Sequence, residues 1–150
     1  MSNHKNIFVR CRAIILHEGK LLVIKHREEL SYYAFPGGHL EQGESVKECI
    51  IREIVEELGV KPEIGRLLYI QDFEDAKGEH STEFFFEVLN GENYIGCEQN
   101  VRSHAHEICE IAWLDKSTEA RILPEVIGNN FKKGKILSNE LMFVKNFLIK

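Results

Sequence analysis

The chain has 150 residues, 43% apolar and 29% charged, a composition that can bury a core and need not be disordered; one domain spanning residues 1–150 is expected. Nineteen Lys and Arg against 24 Asp and Glu leave a net charge of −5, which argues against a surface that wraps duplex nucleic acid or anionic lipid. No apolar run approaches the length of a bilayer span, and the polar start Met1 to Asn6 has no signal-peptide stretch, so a cytoplasmic location and no membrane partner are expected.

In chain order, residues 7–16 and 20–26 are rich in Val, Ile and Leu and flank Glu18-Gly19-Lys20. This predicts a β-hairpin with Gly19 at a positive backbone angle. Arg10 and Arg12 alternate with Val9 and Cys11, so they share one strand face, where they pair with a terminal phosphate or lie exposed. Residues 35–44 carry Pro36, Gly37, Gly38 and Gly43 and are expected to form a loop whose backbone can approach a ligand closely. A helix is predicted over Ser45 to Leu58, then strands over Ile64 to Phe73, Glu83 to Leu89 and Cys109 to Leu114. Near the end, Ser138 is placed to cap a second helix carrying Leu141, Val144, Phe147 and Leu148. Strands mixed with two helices predict a layered α/β or α+β domain.

The Ser45 to Leu58 segment carries the chemistry. At helical spacing, Glu53, Glu56 and Glu57 fall within about 100° of arc, beside an apolar stripe of Ile50, Ile51, Ile54 and Leu58. The carboxylates sit in the last turns, where the helix dipole disfavours negative charge, and Glu53 and Glu57 are a like-charge pair four residues apart. A cation removes both penalties, and oxygen ligands select a hard ion, Mg²⁺ or Mn²⁺.

The segment Gly38 to Val60 resembles the Nudix box, Gly-x5-Glu-x7-Arg-Glu-U-x-Glu-Glu-x-Gly-U with U aliphatic. Gly38, Glu44, Arg52, Glu53, Ile54, Glu56, Glu57, Gly59 and Val60 fill every specified position, and Tyr33 to Gly38 is similar to the family's aromatic-x-x-Pro-Gly-Gly lead-in. A chance match is on the order of 10⁻⁷. The resemblance implies an α/β/α sandwich around a mixed β-sheet and Mg²⁺-dependent hydrolysis of a nucleoside diphosphate linked to another moiety. Residue by residue, it implies metal binding by Glu53, Glu56, Glu57 and the Gly38 carbonyl, with Arg52 and Glu44 orienting the helix. The general base is either Glu53 or Glu107, in the polar loop His104-Ala105-His106-Glu107, and Glu41 is an additional candidate ligand.

Cys49 and Ile50 depart from the Ala-Ala that many members carry before the Arg-Glu pair. The proline and tyrosine that mark ADP-ribose and dinucleoside polyphosphate hydrolases are absent around Glu74 to Lys77, which lowers both assignments. Tyr32, Tyr33, Phe73 and Phe84 to Phe86 are candidates for stacking a base, with core packing as the more frequent role. Cys97, His104, His106 and Cys109 have the donor chemistry for zinc but the spacing of no common zinc module. The expected partner is a small nucleotide derivative, with the chain acting as a monomer or homodimer. A catalytically silent nucleotide sensor or scaffold is the alternative, and structural Ca²⁺ binding ranks last because the helix lacks spaced loop ligands.

Overall fold

The architecture grows from β1 (Ile7–His17), whose partners change along its length. In the computed structural model, which describes residues 6–74, 77–99 and 108–147, β1 turns into β2 (Lys20–Lys25) through the predicted hairpin. Glu18 and Gly19 both take positive φ, 47° and 79°, as a two-residue type I′ turn requires. The sheet continues through β3 (Tyr32–Ala34), β4 (Gly37–His39), β5 (Ile64–Glu74), β6 (His80–Val88), β7 (Glu110–Leu114), β8 (Arg121–Leu123) and β9 (Met142–Phe147). Spatially the order is β8-β3-β2-β1-β6-β5-β9, with β4 on β1 and β7 on β2. The β1–β6 pairing is parallel while β1–β2 and β5–β6 are antiparallel, so the sheet is mixed.

Side-chain alternation divides the core. Cys11, Ala13 and Ile15 of β1, Leu22 and Ile24 of β2, and Phe86 of β6 face one side, where Ile50, Ile54 and Leu58 of α1 (Val46–Leu58) cover them. Ile14, Leu21, Val23 and Phe85 face the other side, against Ile127 and Phe131 of α2 (Glu125–Lys132). Helices on both faces give the expected α/β/α sandwich. Among the described residues, no helix is long and apolar enough to cross a membrane.

Three expectations are corrected. The segment carrying Leu141, Val144 and Phe147 is not a helix: Met142–Phe147 runs as a strand parallel to β5, from Tyr69↔Met142 to Glu74↔Phe147. Pairing with the open edge of β5 outweighs the local helical spacing, and Leu141 is exposed while Val144 is buried, where a helix would put both on one face. Ser138 caps nothing; its carbonyl accepts from Arg66 Nη1 at 2.9 Å and its hydroxyl from the Glu140 amide at 3.1 Å. The supposed glycine loop is in part strand, because Gly37 and Gly38 pair with Arg12 and Cys11. Finally, α2 lies in a stretch where the sequence predicts no element.

The register of α1 is testable. Ile54 is fully buried and Val55 is 39% exposed. Ile54→Ala is expected to cost about 2–5 kcal/mol in urea unfolding and Val55→Ala less than about 1 kcal/mol; equal losses would show the helix to be rotated.

Candidate active site

The site is assembled by the entry into α1. Ser45 caps the helix in a reciprocal capping box, its Oγ accepting from the Glu48 amide at 3.1 Å while Glu48 Oε1 accepts from the Ser45 amide at 2.8 Å. At the far end Gly59, at φ 79°, closes the helix with its amide donating to Val55 O at 2.9 Å. The last turn contains no basic residue, so Glu56 and Glu57 meet the negative end of the helix dipole, and Glu56 has Arg52 one turn back at 3.4 Å.

Strand β4 lies between β1 and α1, and its first two positions are glycine. A Cβ on Gly37, which sits at φ 146°, would come 1.9 Å from Cys11 O; one on Gly38 would come 2.4 Å from the Glu53 carboxyl carbon. The close approach brings the Gly37 amide to Glu57 Oε1 at 2.8 Å. It also leaves the Cys49 thiol 3.9 Å from Gly38 O. Cys49 touches the Cys11 thiol, and that contact together with burial pushes its own thiol up.

Arg52 joins loop to helix. Its Nε donates to Glu44 Oε2 at 3.0 Å and its Nη2 to Glu44 Oε1 at 2.7 Å, a bidentate pair, while Nη2 also reaches the His39 carbonyl at 3.0 Å. Nη1 donates to Glu53 Oε1 at 2.9 Å and lies 3.4 Å from Glu56 and 3.6 Å from Glu41. The bond from Arg52 and a second one from the Glu41 amide hold the Glu44 carboxyl down at about 2. Glu53 goes the other way: burial raises it above the usual carboxylate range against the pull of Arg52.

The structure therefore brings together Gly38, Glu41, Glu44, Arg52, Glu53, Glu56 and Glu57. Among the described residues, no group of three His, Cys, Asp or Glu side chains is already gathered as a metal ligand set; Glu53 and Glu56 point to Arg52, and Glu57 to Gly37. Glu107, His104 and His106 lie outside the described residues. Cys97 is buried and pushed up to about 11 by that burial, whereas Cys109 is exposed.

Beside β4 opens a cavity of about 270 Å³ lined by Arg10, Arg12, Phe35, Gln71, Phe73 and Glu83, with Phe85 and Pro124 further round the wall. Of the aromatic candidates, Phe73 and Phe85 reach it, while the Tyr33 hydroxyl is bound to Glu110 at 2.7 Å and Phe86 belongs to the core under α1. Glu83 and Gln71 are the residues sequence reasoning missed. Their signal was a polar side chain in phase with a buried aromatic two residues away, Gln71 with Tyr69 and Glu83 with Phe85.

A NUDIX domain family model matches residues 8–126. The ADP-ribose pyrophosphatase of Methanocaldococcus jannaschii is 38% identical over 88 residues, covering 55% of this chain and 52% of that protein. The 8-oxo-dGTP diphosphatase of Proteus vulgaris is 29% identical over 108 residues, 71% of this chain and 84% of that one. The crystal structure of a MutT NUDIX hydrolase from Burkholderia pseudomallei superposes with a TM-score of 0.66 at 24% identity, covering 89% of this chain and all of that chain, a likeness of fold. The chain spans about half the length of the Methanocaldococcus protein.

The sign of the Glu44 shift gives a test. A carboxyl held low in the fold contributes stability that is present above its unfolded pKa and lost as pH falls through the folded one. In metal-free buffer, Glu44→Gln is expected to be less stable than wild type at pH 7, the gap closing between pH 4.5 and about 2; a gap independent of pH in thermal unfolding would rule out the ionic contact as its cause.

Proposed function

This chain belongs to the NUDIX family, and we propose that it hydrolyses the pyrophosphate bond of a nucleoside diphosphate linked to a further moiety, water attacking phosphorus. The single observation that carries this reading is the acidic end of α1 laid against the side-chain-free edge of β4. Glu41, Glu44, Glu53 and Glu56 all draw on the one guanidinium of Arg52, and Glu57 stands beside them. That local excess of negative charge, offered by oxygen donors alone, fits a hard divalent cation, Mg²⁺ or Mn²⁺.

Glu53, Glu56, Glu57 and the Gly38 carbonyl would hold it. When bound, such an ion offsets the charge of the phosphate oxygens and lowers the pKa of the attacking water. The chain's own groups do the rest. Arg52, fixed by Glu44 and by the His39 carbonyl, is a positioning residue that sets the Glu53 and Glu56 carboxylates. Glu53 is largely withdrawn from solvent and is one candidate to take the proton from water. Glu107 is the alternative acceptor on sequence grounds. Gly37 couples the acids to the cavity, because its amide binds Glu57 while its carbonyl accepts from Arg12 Nη1 at 3.3 Å.

The substrate class that follows is a nucleoside triphosphate or a nucleotide sugar, a small molecule seated in the cavity with its pyrophosphate at β4. The names of the relatives, a pyrophosphatase of ADP-ribose and a diphosphatase of 8-oxo-dGTP, support the bond and leave the leaving group open.

The test is product release from a nucleotide panel. Monophosphate release is expected to cease with EDTA and to return with Mg²⁺ or Mn²⁺. Glu57→Gln keeps an acceptor for the Gly37 amide but removes the charge, and is expected to slow turnover by at least ~10²-fold. Tight nucleotide binding with no product under any divalent ion would instead identify a silent binding domain.

A further inference from the structure

A continuous hydrogen-bond relay connects β5 to the acids of α1. It starts at Gln71, whose Nε2 donates to Glu83 Oε1 at 2.7 Å, the two residues lying directly opposite in register. Glu83 Oε2 in turn accepts from Arg12 Nε at 3.1 Å, across the seam where β1 and β6 run parallel. The side chains of this ion pair are 16% and 11% exposed, so salt screens it little. Arg12 Nη1 then donates to the carbonyls of Phe35 and Gly37, each at 3.3 Å. Between those two carbonyls lies the Pro36–Gly37 peptide unit. Its oxygen accepts from the Ala13 amide at 2.9 Å, and its N–H donates to Glu57 Oε1 at 2.8 Å.

Each link answers a physical need. A guanidinium presents its donors in a rigid planar fork, so the bond from Nε to Glu83 fixes where Nη1 points. Gly37 needs holding, because φ 146° is only one of many backbone states open to a glycine. Glu57 needs orienting, because it stands at the negative end of the helix, four residues after Glu53, with no basic residue in the last turn. Charge repulsion favours swinging its carboxylate out toward water, and the Gly37 amide opposes that motion. The bond that Pro36 O accepts from Ala13 polarises the same peptide unit and makes its N–H the stronger donor.

We infer that Arg12 and Glu83 are positioning residues for the divalent ion: their ion pair, anchored by Gln71, clamps residues 35–37 so that the Gly37 amide holds the Glu57 carboxylate where it binds metal. Neither residue ligates the ion itself. The inference rests on the proposed metal role of Glu57 and extends the site to two strands, β1 and β6, outside the segment Gly38 to Val60. A largely buried ion pair adds little net stability to a fold, and fixing one backbone geometry is the use that this one has. The single amide bond on Oε1 orients the Glu57 carboxylate while occupying only one of its lone-pair sites.

The experiment is a calorimetric titration of the full chain with Mn²⁺ in the absence of nucleotide, which requires no turnover. Glu83→Gln removes the charge and keeps the shape, and Arg12→Lys keeps the charge but cannot reach Glu83 and both carbonyls at once. Each is expected to weaken Mn²⁺ binding by about tenfold, as is Glu57→Gln, whereas Ile127→Val, a control for lost stability in the core under α2, stays within about twofold. In the Glu57→Gln background, Glu83→Gln is expected to add less than about twofold, a failure of additivity that general destabilisation does not produce. Hydrogen exchange on the metal-free wild type is expected to find the Gly37 amide protected, and Glu83→Gln to speed its exchange by at least ~10-fold while the Cys49 amide inside α1 is unchanged. An unprotected Gly37 amide in the wild type overturns the inference even if the variants fail to fold. Weakened binding in Glu57→Gln with full affinity in Glu83→Gln and Arg12→Lys overturns it and leaves the metal role of Glu57 standing; full affinity in Glu57→Gln overturns both.

Discussion

The absence of side chains at two consecutive positions governs this site. Gly37 lets β4 lie on β1 at a distance that a Cβ would forbid, 1.9 Å from Cys11 O, and a Cβ on Gly38 would come 2.4 Å from the Glu53 carboxyl carbon and push that side chain aside. Because β4 is that close, its amide at Gly37 can bind Glu57 and its end at His39 can accept from Arg52. Were the strand held one side-chain layer away, the acidic face of α1 would be an ordinary solvated surface. The core on the opposite side of the same helix, built on Ile50, Ile54 and Leu58, keeps α1 from moving to relieve the crowding.

Electrostatics then sharpen what sterics allow. A guanidinium shared among four carboxylates cannot neutralise them all, so the cluster stays short of positive charge even with every hydrogen bond made. The imbalance is uneven. Glu44, doubly bonded by Arg52 and also bound to the Glu41 amide, is kept ionised, whereas burial makes Glu53 readier for a proton. Two carboxylates eight and one residues from the same arginine therefore differ in character through environment alone.

Legibility in the sequence followed the range of the interactions. The helix and its acidic face were readable because the apolar stripe and the Glu53 to Glu57 set recur within a few residues, whereas the Ser45–Glu48 capping box emerged only in the structure. The β1–β2 hairpin was readable from Gly19 for the same reason. What was lost depended on partners far along the chain. Met142–Phe147 became a strand because β5 needed an edge partner, and β4 became a strand because β1 supplied one to residues whose composition reads as loop. Cys49 beside the acids is buried, and that it meets Cys11 required the fold.

The same contrast explains why the family motif discloses the reaction more readily than the substrate. Acids and their arginine come from one helix and the loop before it, so their spacing is written contiguously and survives as a pattern. The cavity instead gathers Arg12, Phe35, Gln71, Glu83 and Pro124, each from a different stretch of chain, and no local spacing links them. What marks them is alternation violated: a glutamine among Leu68, Tyr69 and Ile70, and a glutamate leading three phenylalanines, both on inward positions. A buried polar group is costly unless something bonds it, and among the described residues Glu83 is bonded on both oxygens while Gln71 Oε1 has no partner.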